Sequence, residues 1–498
     1  MTSAQVIGLE VQRTDVVLVP DLERVVLRFF VPGREDVGPG DSRAGPVIER
    51  VLALSERSVV TELADVVDRF THRHRDLVQS FDRHAALVEH RFDDGPHLSL
   101  ARRRLLGAIF SHEYAIEGAA LCNPSIVAHP VQPVPGETAF ILSVRGIGEG
   151  HRSSIGFRQG VVRASGDVEV ERSGPFTRTG SIRPGTHHRS VLHRKLSELD
   201  DDHENAEFVL DALPEEFIDC ELDERLAVLS SDSATRRHVA ETGEHIRMLA
   251  SSSYGVDFPT ATMLSERVLW PTSPIEGHGM EDARFVEIID GSAPRYCATY
   301  TAFDGTNIGQ NLLTTEDFLS FEVTLMAGAA ARGKGLALFP RQIGGRYVAL
   351  SRADRETNSV AFSSDLLCWD ASTVIQAPQR PWEMVQLGNC GSPIETSDGW
   401  LVLTHGVGAL RTYSIGAILL DLDDPTRVIA AGHEPILRPT PDGRNGYVPN
   451  VVYTCGALAV GDQLVLPFGI GDQTISIATM SIANVLGSMR TVRRRQPR

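Results

Sequence analysis

The 498 residues carry 48 Lys+Arg against 65 Asp+Glu, a formal charge of −17, with 42% apolar and 23% charged positions. That balance fits a globular protein of two or three domains with a large core, and the negative charge argues against nucleic acid or an anionic membrane as partner, leaving local basic pockets as anion sites. No apolar run approaches the roughly 18 residues that cross a bilayer, and the opening MTSAQVIGLEVQRTDVV lacks a basic stretch followed by an apolar one and a cleavage site, so a cytoplasmic chain is expected.

In chain order, the first 45 or so residues hold two short β-prone runs, Val16-Val17-Leu18-Val19 and Val25-Val26-Leu27-Arg28-Phe29-Phe30, followed by the turn-rich PGREDVGPGDSRAGP. From Ile48 to about Phe92, Leu63, Val66, Val67, Phe70, Leu77, Val78, Phe81 and Val88 recur at the three-to-four residue spacing of amphipathic helices. Core packing is the preferred use of that stripe, with partner binding or a coiled coil as the alternative. Residues 1–105 are therefore expected to form an N-terminal, mostly helical extension, and residues 106–498 a β domain. Within the latter, a helical zone at about 190–253 contains the acidic run Glu198-Leu199-Asp200-Asp201-Asp202 and many arginines, and reads as a solvated insertion. The six cysteines are scattered without a C-x-x-C pair, so buried free thiols are expected. His72/His74 and His187/His188 have no carboxylate or thiol at ligand spacing, and no metal site is expected.

The rest of the chain reads as β and repeats. Asp317-Phe318-Leu319-Ser320-Phe321-Glu322 and Asp365-Leu366-Leu367-Cys368-Trp369-Asp370 share the order acid, two apolar, small, aromatic, acid, about 48 residues apart. Strand-like runs precede each, at Arg295–Tyr300 and Arg346–Ser351, and further units occur at Ala139–Val144, Gly399–Thr404 and Gln463–Pro467. A four-stranded sheet cannot bury both faces without neighbours, so repetition at this spacing predicts a mainly β fold, a five-bladed β-propeller. A two-sheet sandwich or two separate β domains is the alternative. A propeller gathers its site from sequence-distant motifs, and polar clusters do recur near strand starts. They are Asn123-Pro124-Ser125, Arg145 with Glu149-Gly150-His151-Arg152, Gly279-Met280-Glu281-Asp282-Ala283-Arg284, Lys334, Arg352, Thr404-His405-Gly406, Tyr413 and Gly471-Asp472.

The stretches GMEDARF, ATYTAFDG, LFPRQIGGRYVALSR, GSPIETSDGWLVLTHG, GAILLDLDDP and GYVPNVVYTCG, taken in this order, resemble the signature of glycoside hydrolase family 130, the β-mannoside phosphorylases and related β-mannosidases, which are five-bladed propellers. The resemblance covers most of the chain from about residue 120 onward and does not extend to the helical N-terminal part. It implies Asp282 as the general acid, in a motif where Ala283 replaces the usual proline. It implies Lys334, Arg352, His405 and Tyr413 as phosphate-binding groups, with Gln386 standing where the family has a further lysine. It implies that Asn123, Ser125, Arg145, His151, Glu281, Arg284 and Asp472 contact the sugar or complete the pocket wall. A turn held by a local ion pair is the competing explanation of Glu281-Asp282-Ala283-Arg284.

An inverting glycosidase needs two carboxyl groups, one to protonate the leaving oxygen and one to activate water. A phosphorylase needs only the first, because phosphate is already an anionic nucleophile and cations replace the second. Lys334 offers a point charge, Arg352 a planar fork, and His405 and Tyr413 hydrogen-bond donors. The expected reaction is phosphorolysis of a β-mannoside with inversion to α-mannose 1-phosphate, Asp282 delivering its proton directly or through the mannosyl 3-hydroxyl. That role calls for a raised Asp282 pKa, toward which burial and the adjacent Glu281 would act. Hydrolysis, with Glu395 or Asp472 as base, and a non-catalytic glycan-binding propeller are the alternatives. The partners implied are a β-mannoside and inorganic phosphate as co-substrate, without metal or organic cofactor, and a homo-oligomer stays open. Tyr300, Phe303 and Trp382 are aromatic candidates for the acceptor side, with buried packing the preferred explanation of each.

Overall fold

Strands dominate the chain after residue 110, where the repeated turn-then-strand units predict a β fold. The computed structural model describes residues 10–33, 43–91, 98–201, 203–232, 234–289 and 295–492. The first nine residues of the opening peptide, the middle of the turn-rich stretch, Phe92 and Asp202 lie outside them. The chain is mainly β and divides into two units, one of Asp21–Gly118 with Gly174–Arg178 and one of the remainder.

In the smaller unit, Ser55 caps the helix Glu56–Phe70 by accepting from Ser58 N, and Ser99 caps Leu100–Ile109 by accepting from Arg102 N. With Ala44–Leu52 these helices enclose Ile48, Val51, Val59, Leu105, Leu106 and Phe110. The apolar stripe divides: Leu77, Phe81 and Val88 are buried, whereas Leu63, Val66, Val67 and Phe70 are only half-buried. The strand Val25–Phe29 pairs antiparallel with Ser111–Ala115. That ladder and the packing of Leu100–Ile109 carry the unit to Gly118 rather than to residue 105, and the strand Gln12–Leu18 belongs to the larger unit.

In the larger unit, antiparallel groups of strands follow one another. Ala120–Ala128, Thr138–Ile147, Ser153–Val162 and Val168–Val170 form the first, and Gly279–Ile288, Arg295–Phe303, Ile308–Thr315 and Ser320–Leu325 the second, the two joined into one larger sheet where Gly279 pairs parallel with Ser153. The third is Ala337–Leu338, Tyr347–Ser351, Asn358–Ser363 and Ser372–Gln376, and the fourth is built on Gln386–Asn389, Gly399–Val407, Tyr413–Leu420 and Val428–Gly432. In the last, Val452–Tyr453, Gln463–Ile470 and Thr474–Ser481 are completed by Gln12–Leu18 on the outside.

The repeated Asp motif is one turn used twice. Asp317 Oδ1 accepts from Leu319 N and Ser320 N at 2.8 and 3.0 Å, and Asp365 Oδ1 accepts from Leu367 N and Cys368 N at 2.9 and 2.8 Å. The following Phe318 and Leu366 are left-handed, at φ 57° and 68°, and buried.

The helical insertion is not merely solvated. Arg189–Glu198, Glu204–Leu210, Asp219–Ser231 and Val239–Ala250 bury Leu192, Leu196, Val209, Leu226, Leu229 and Ile246 in one core with Val286, Ile288 and Leu325 of the second strand group. Some of its charges are also drawn in: Lys195 pairs with Glu198 at 3.0 Å, and Glu198 Oε1 accepts from Gly328 N at 2.8 Å. Of the cysteines, Cys220 is exposed and the other five are buried free thiols. His74 and His187 pair with carboxylates, at 2.7 Å from Glu113 and 2.6 Å from Asp219. No described helix is long and apolar enough to cross a membrane.

Candidate active site

Two irregular strands create the acidic corner of the site. Gly279–Ile288 loses register with its neighbour between Glu281 and Arg284, and Asp282 there takes a left-handed φ of 57°. Ala120–Ala128 breaks register between Cys122 and Ser125, with Asn123 at φ 49°. Such bulges re-aim side chains that regular alternation would direct elsewhere. Here they bring the Asn123 amide to donate to Asp282 Oδ1. Behind them Ser125 Oγ accepts from Phe285 N at 3.0 Å, fastening one bulged strand to the other.

Arg145 sits over this corner. Its Nη2 donates to Glu281 Oε1 at 2.5 Å, its Nη1 lies 3.4 Å from Asp282 Oδ1, and its Nε donates to Ser153 Oγ at 2.8 Å. Glu281 also accepts from Lys334 Nζ, so it couples the two cations. Arg284 donates to the Asp282 carbonyl at 2.8 Å and to the Tyr453 hydroxyl at 2.9 Å.

Opposite lies a second arrangement. Arg352 Nη1 donates to His405 Nε2 at 2.8 Å, and His405 Nδ1 donates to the Asn389 carbonyl at 3.1 Å. The buried imidazole stacks on Tyr413 with centroids 5.9 Å apart and meets Tyr453 edge-on at 5.0 Å. Burial, then the charges of Arg352 and Arg284, hold its pKa well below the ordinary histidine value. His405 is thus neutral with both ring nitrogens engaged. It orients Arg352 instead of offering a free donor as the sequence reading expected.

Asn123, Arg145, Asp282, Arg284, Lys334, Arg352, His405, Tyr413 and Asp472 line one cavity of about 180 Å³. This is smaller than the roughly 300–1,000 Å³ of sites for drug-sized ligands. Ser125 and Glu281 lie behind the lining. His151 is exposed, stacked on Tyr447 at 5.5 Å with its Nδ1 bonded to the Tyr447 hydroxyl. Gln386 lines the cavity and donates to the Tyr413 hydroxyl at 3.4 Å. Arg411 and Tyr453 also line it without having been singled out in the sequence. Arg411 lies between the identified His405 and Tyr413, and Tyr453 within the motif GYVPNVVYTCG, which are the signals available for them. Glu395 is tied to Arg341 at 2.6 Å on the surface. Tyr300 is buried against Glu276, and the Trp382 ring lies against Gly406 and Gly416, which accounts for both by packing.

The electrostatics of the two acids diverge. Burial pushes the Asp282 carboxyl up, but Arg145, Lys334 and Arg284 outweigh it, with help from the Asn123 amide, and hold it at about 2. The raised pKa expected from burial and Glu281 is therefore reversed, because Glu281 is neutralised by the same cations that surround Asp282. Asp472 is pushed up to about 6, by burial first, against the pull of Arg145.

A sequence profile described as β-1,4-mannooligosaccharide phosphorylase matches residues 236–491, more than half of the chain. The chain belongs to glycoside hydrolase family 130. Among its relatives, a 1,2-β-oligomannan phosphorylase of Thermoanaerobacter sp. (strain X514) is 34% identical over 254 residues, 49% of this chain and 82% of the relative. A β-1,2-mannobiose phosphorylase of Listeria innocua serovar 6a is 32% identical over 234 residues, 45% of this chain and 64% of the relative. Among solved structures, the β-1,2-mannobiose phosphorylase from Listeria innocua in complex with β-1,2-mannobiose aligns with 75% of this chain and 92% of its own, at 22% identity and a TM-score of 0.44.

Proposed function

We propose that this family 130 chain is an inverting β-mannoside phosphorylase that converts a β-linked mannobiose or manno-oligosaccharide and phosphate to α-mannose 1-phosphate and the shortened acceptor. The observation that carries the reading is convergence. Asn123 and Arg145, Asp282 and Arg284, Lys334 and Arg352, His405 and Tyr413, and Tyr453 and Asp472 come from five successive strand groups and line one cavity. The same convergence, with four-strand groups recurring along the chain, supports reading the groups as blades of a five-bladed propeller.

In the proposed step a phosphate oxygen attacks C1 from the face opposite the leaving group, the C1–O bond breaks, and its electron pair stays on the departing oxygen, which takes the Asp282 proton. The route is direct or through the mannosyl 3-hydroxyl. Lys334 and Arg352 hold the phosphate. Arg352 Nε is buried without a hydrogen-bond partner among the described residues, which an anionic oxygen would satisfy. Phosphate also solves the protonation problem, since a dianion beside the cations that depress Asp282 offsets them and lets its carboxyl gain a proton. The step uses no metal or organic cofactor.

A hydrolytic reading draws on Asp472 alone, an acid in the cavity whose pKa near 6 suits a base. Glu395, held on Arg341, does not serve it. Incubation with β-1,2- and β-1,4-mannobiose, with and without phosphate, separates the readings. Mannose 1-phosphate formed only with phosphate is expected. Free mannose formed equally without phosphate would replace phosphorolysis by hydrolysis, and binding without turnover would leave a glycan-binding protein.

A further inference from the structure

The hairpin between Gly399–Val407 and Tyr413–Leu420 turns through Gly408-Ala409-Leu410-Arg411-Thr412. Gly408 N donates to Thr412 O at 3.0 Å and Thr412 N to Ala409 O at 3.2 Å. Leu410 and Arg411 both stand at φ 54°, two consecutive left-handed residues that each carry a Cβ, an unfavourable conformation. Packing does not repay it, since Leu410 is 89% exposed. The same turn occurs at Gly148-Glu149-Gly150-His151-Arg152, where Gly148 N donates to Arg152 O at 3.1 Å and His151 has φ 59°. There a glycine takes the first left-handed position, at φ 66°, and relieves the cost. In the Arg411 turn the cost is retained, and its result is a guanidinium at the cavity.

Arg411 differs from the other cations that line the cavity. Arg145 is held by Glu281 and Asp282, Lys334 by Glu281, Arg284 by the Asp282 carbonyl and Tyr453, and Arg352 by His405. Among the described residues the Arg411 side chain makes no hydrogen bond or ion pair, and its charge pulls on the Asp472 carboxyl. Its turn caps a rung on which Gln386 pairs with Val407 and Val407 with Tyr413. Gln386 and Tyr413 bring neutral donors to that end of the sheet, and charge there comes from Arg411.

We propose that Arg411 is a further phosphate-binding residue, its planar fork meeting two oxygens of the dianion held by Lys334 and Arg352. The proposal rests on the phosphorylase reading, and the two can fail separately. Calorimetric titration with inorganic phosphate on the full chain, together with KM for phosphate and for the mannoside, should compare wild type, Arg411→Gln, and Arg411→Gln combined with Gln386→Lys, which moves a positive charge to the same rung. Arg411→Gln should weaken phosphate at least roughly tenfold, the loss of one charge-assisted contact, and leave mannoside KM nearly unchanged. The lysine should recover much of that loss. Unchanged phosphate affinity overturns the proposal, as does an equal loss of mannoside affinity, or a loss that the lysine does not reverse, since both of the latter assign the effect to the turn's shape. Wild type that binds no phosphate overturns the phosphorylase reading and this proposal with it.

Discussion

Asp282 must carry a proton to act as an acid, yet Arg145, Lys334 and Arg284 hold its carboxyl at about 2 in the unliganded cavity. If phosphate supplies the compensating charge, its binding should draw a proton onto Asp282 near pH 6. Phosphate is mostly the monoanion at that pH and releases a proton when bound as the dianion, which Asp282 takes up; the binding enthalpy should therefore depend less on buffer ionisation enthalpy in wild type than in Asp282→Asn, and equal dependence in the two would remove Asp282 from that role. Asp282→Asn should also cut turnover by roughly 10²–10⁴-fold, the range for a lost general acid, with an unchanged circular dichroism spectrum. Asp472 acts oppositely on stability. Its folded pKa, about 6, exceeds the ordinary value of 3.8, so the folded state binds the extra proton between those pH values and loses stability as pH rises through them. The difference is on the order of 3 kcal/mol, and Asp472→Asn should raise the unfolding midpoint at pH 7.5 but hardly at pH 4. A parallel shift at both would refute the assignment. The sequence revealed which residue types meet in the cavity, because Asp282, Lys334, Arg352 and His405 sit in recognisable motifs. It did not reveal that His405 is spent on Arg352 or that Ser125 lies behind the wall, since hydrogen-bond partners 53 and 160 residues away leave no local trace.

The pairing of strands Gln386–Asn389 and Gly399–Val407 places Gly388 opposite His405, and a Cβ at Gly388 would stand 2.5 Å from both Arg352 Cδ and His405 Cε1. Gly388→Ala should therefore displace the Arg352–His405 pair. The expected outcome is a phosphate KM raised by roughly tenfold or more for about 1–3 kcal/mol of overpacking, with the Asp282 corner intact and mannoside KM little altered. Gly309→Ala, where an added Cβ meets nothing within 4 Å, is the matched control. Equal kinetics in the two variants would mean that Arg352 needs no fixed seat. Elements were legible where local chemistry repeats, as in the Asp317 and Asp365 turns, whose acids occupy the same place before a left-handed residue. The insertion was misread because charge dominates its composition. Yet Leu222, Leu226 and Leu229 form a buried stripe along Asp219–Ser231, and their spacing, not the acid count, indicated a packed helix.

At the scale of the chain, a net charge of −17 coexists with a cavity lined by Arg145, Arg284, Lys334, Arg352 and Arg411. The overall charge that argues against extended polyanions therefore does not argue against a small one. Composition and periodicity could not reveal where the last strand group finds its outer partner. Gln12–Leu18 pairs with Thr474–Ser481, Thr14 Oγ1 donates to Ile477 O at 3.0 Å, and Ser476 Oγ donates to Val16 O at 3.2 Å, across more than 450 residues of sequence. Removing residues 1–19 would leave Thr474–Ser481 as a bare edge, exposing unpaired backbone groups and the apolar surface now covered by Val16 and Leu18. The hairpin that ends in Thr474–Ser481 also carries Asp472 in its turn, so the edge and the cavity share one element. The truncated chain should lose on the order of 2–4 kcal/mol of stability from the missing ladder and apolar cover, associate on size-exclusion chromatography, and show weaker mannoside binding per folded molecule. An unfolding midpoint and elution volume matching the full chain would mean that the N-terminal strand is dispensable and that Thr474–Ser481 is held by its inner neighbour alone.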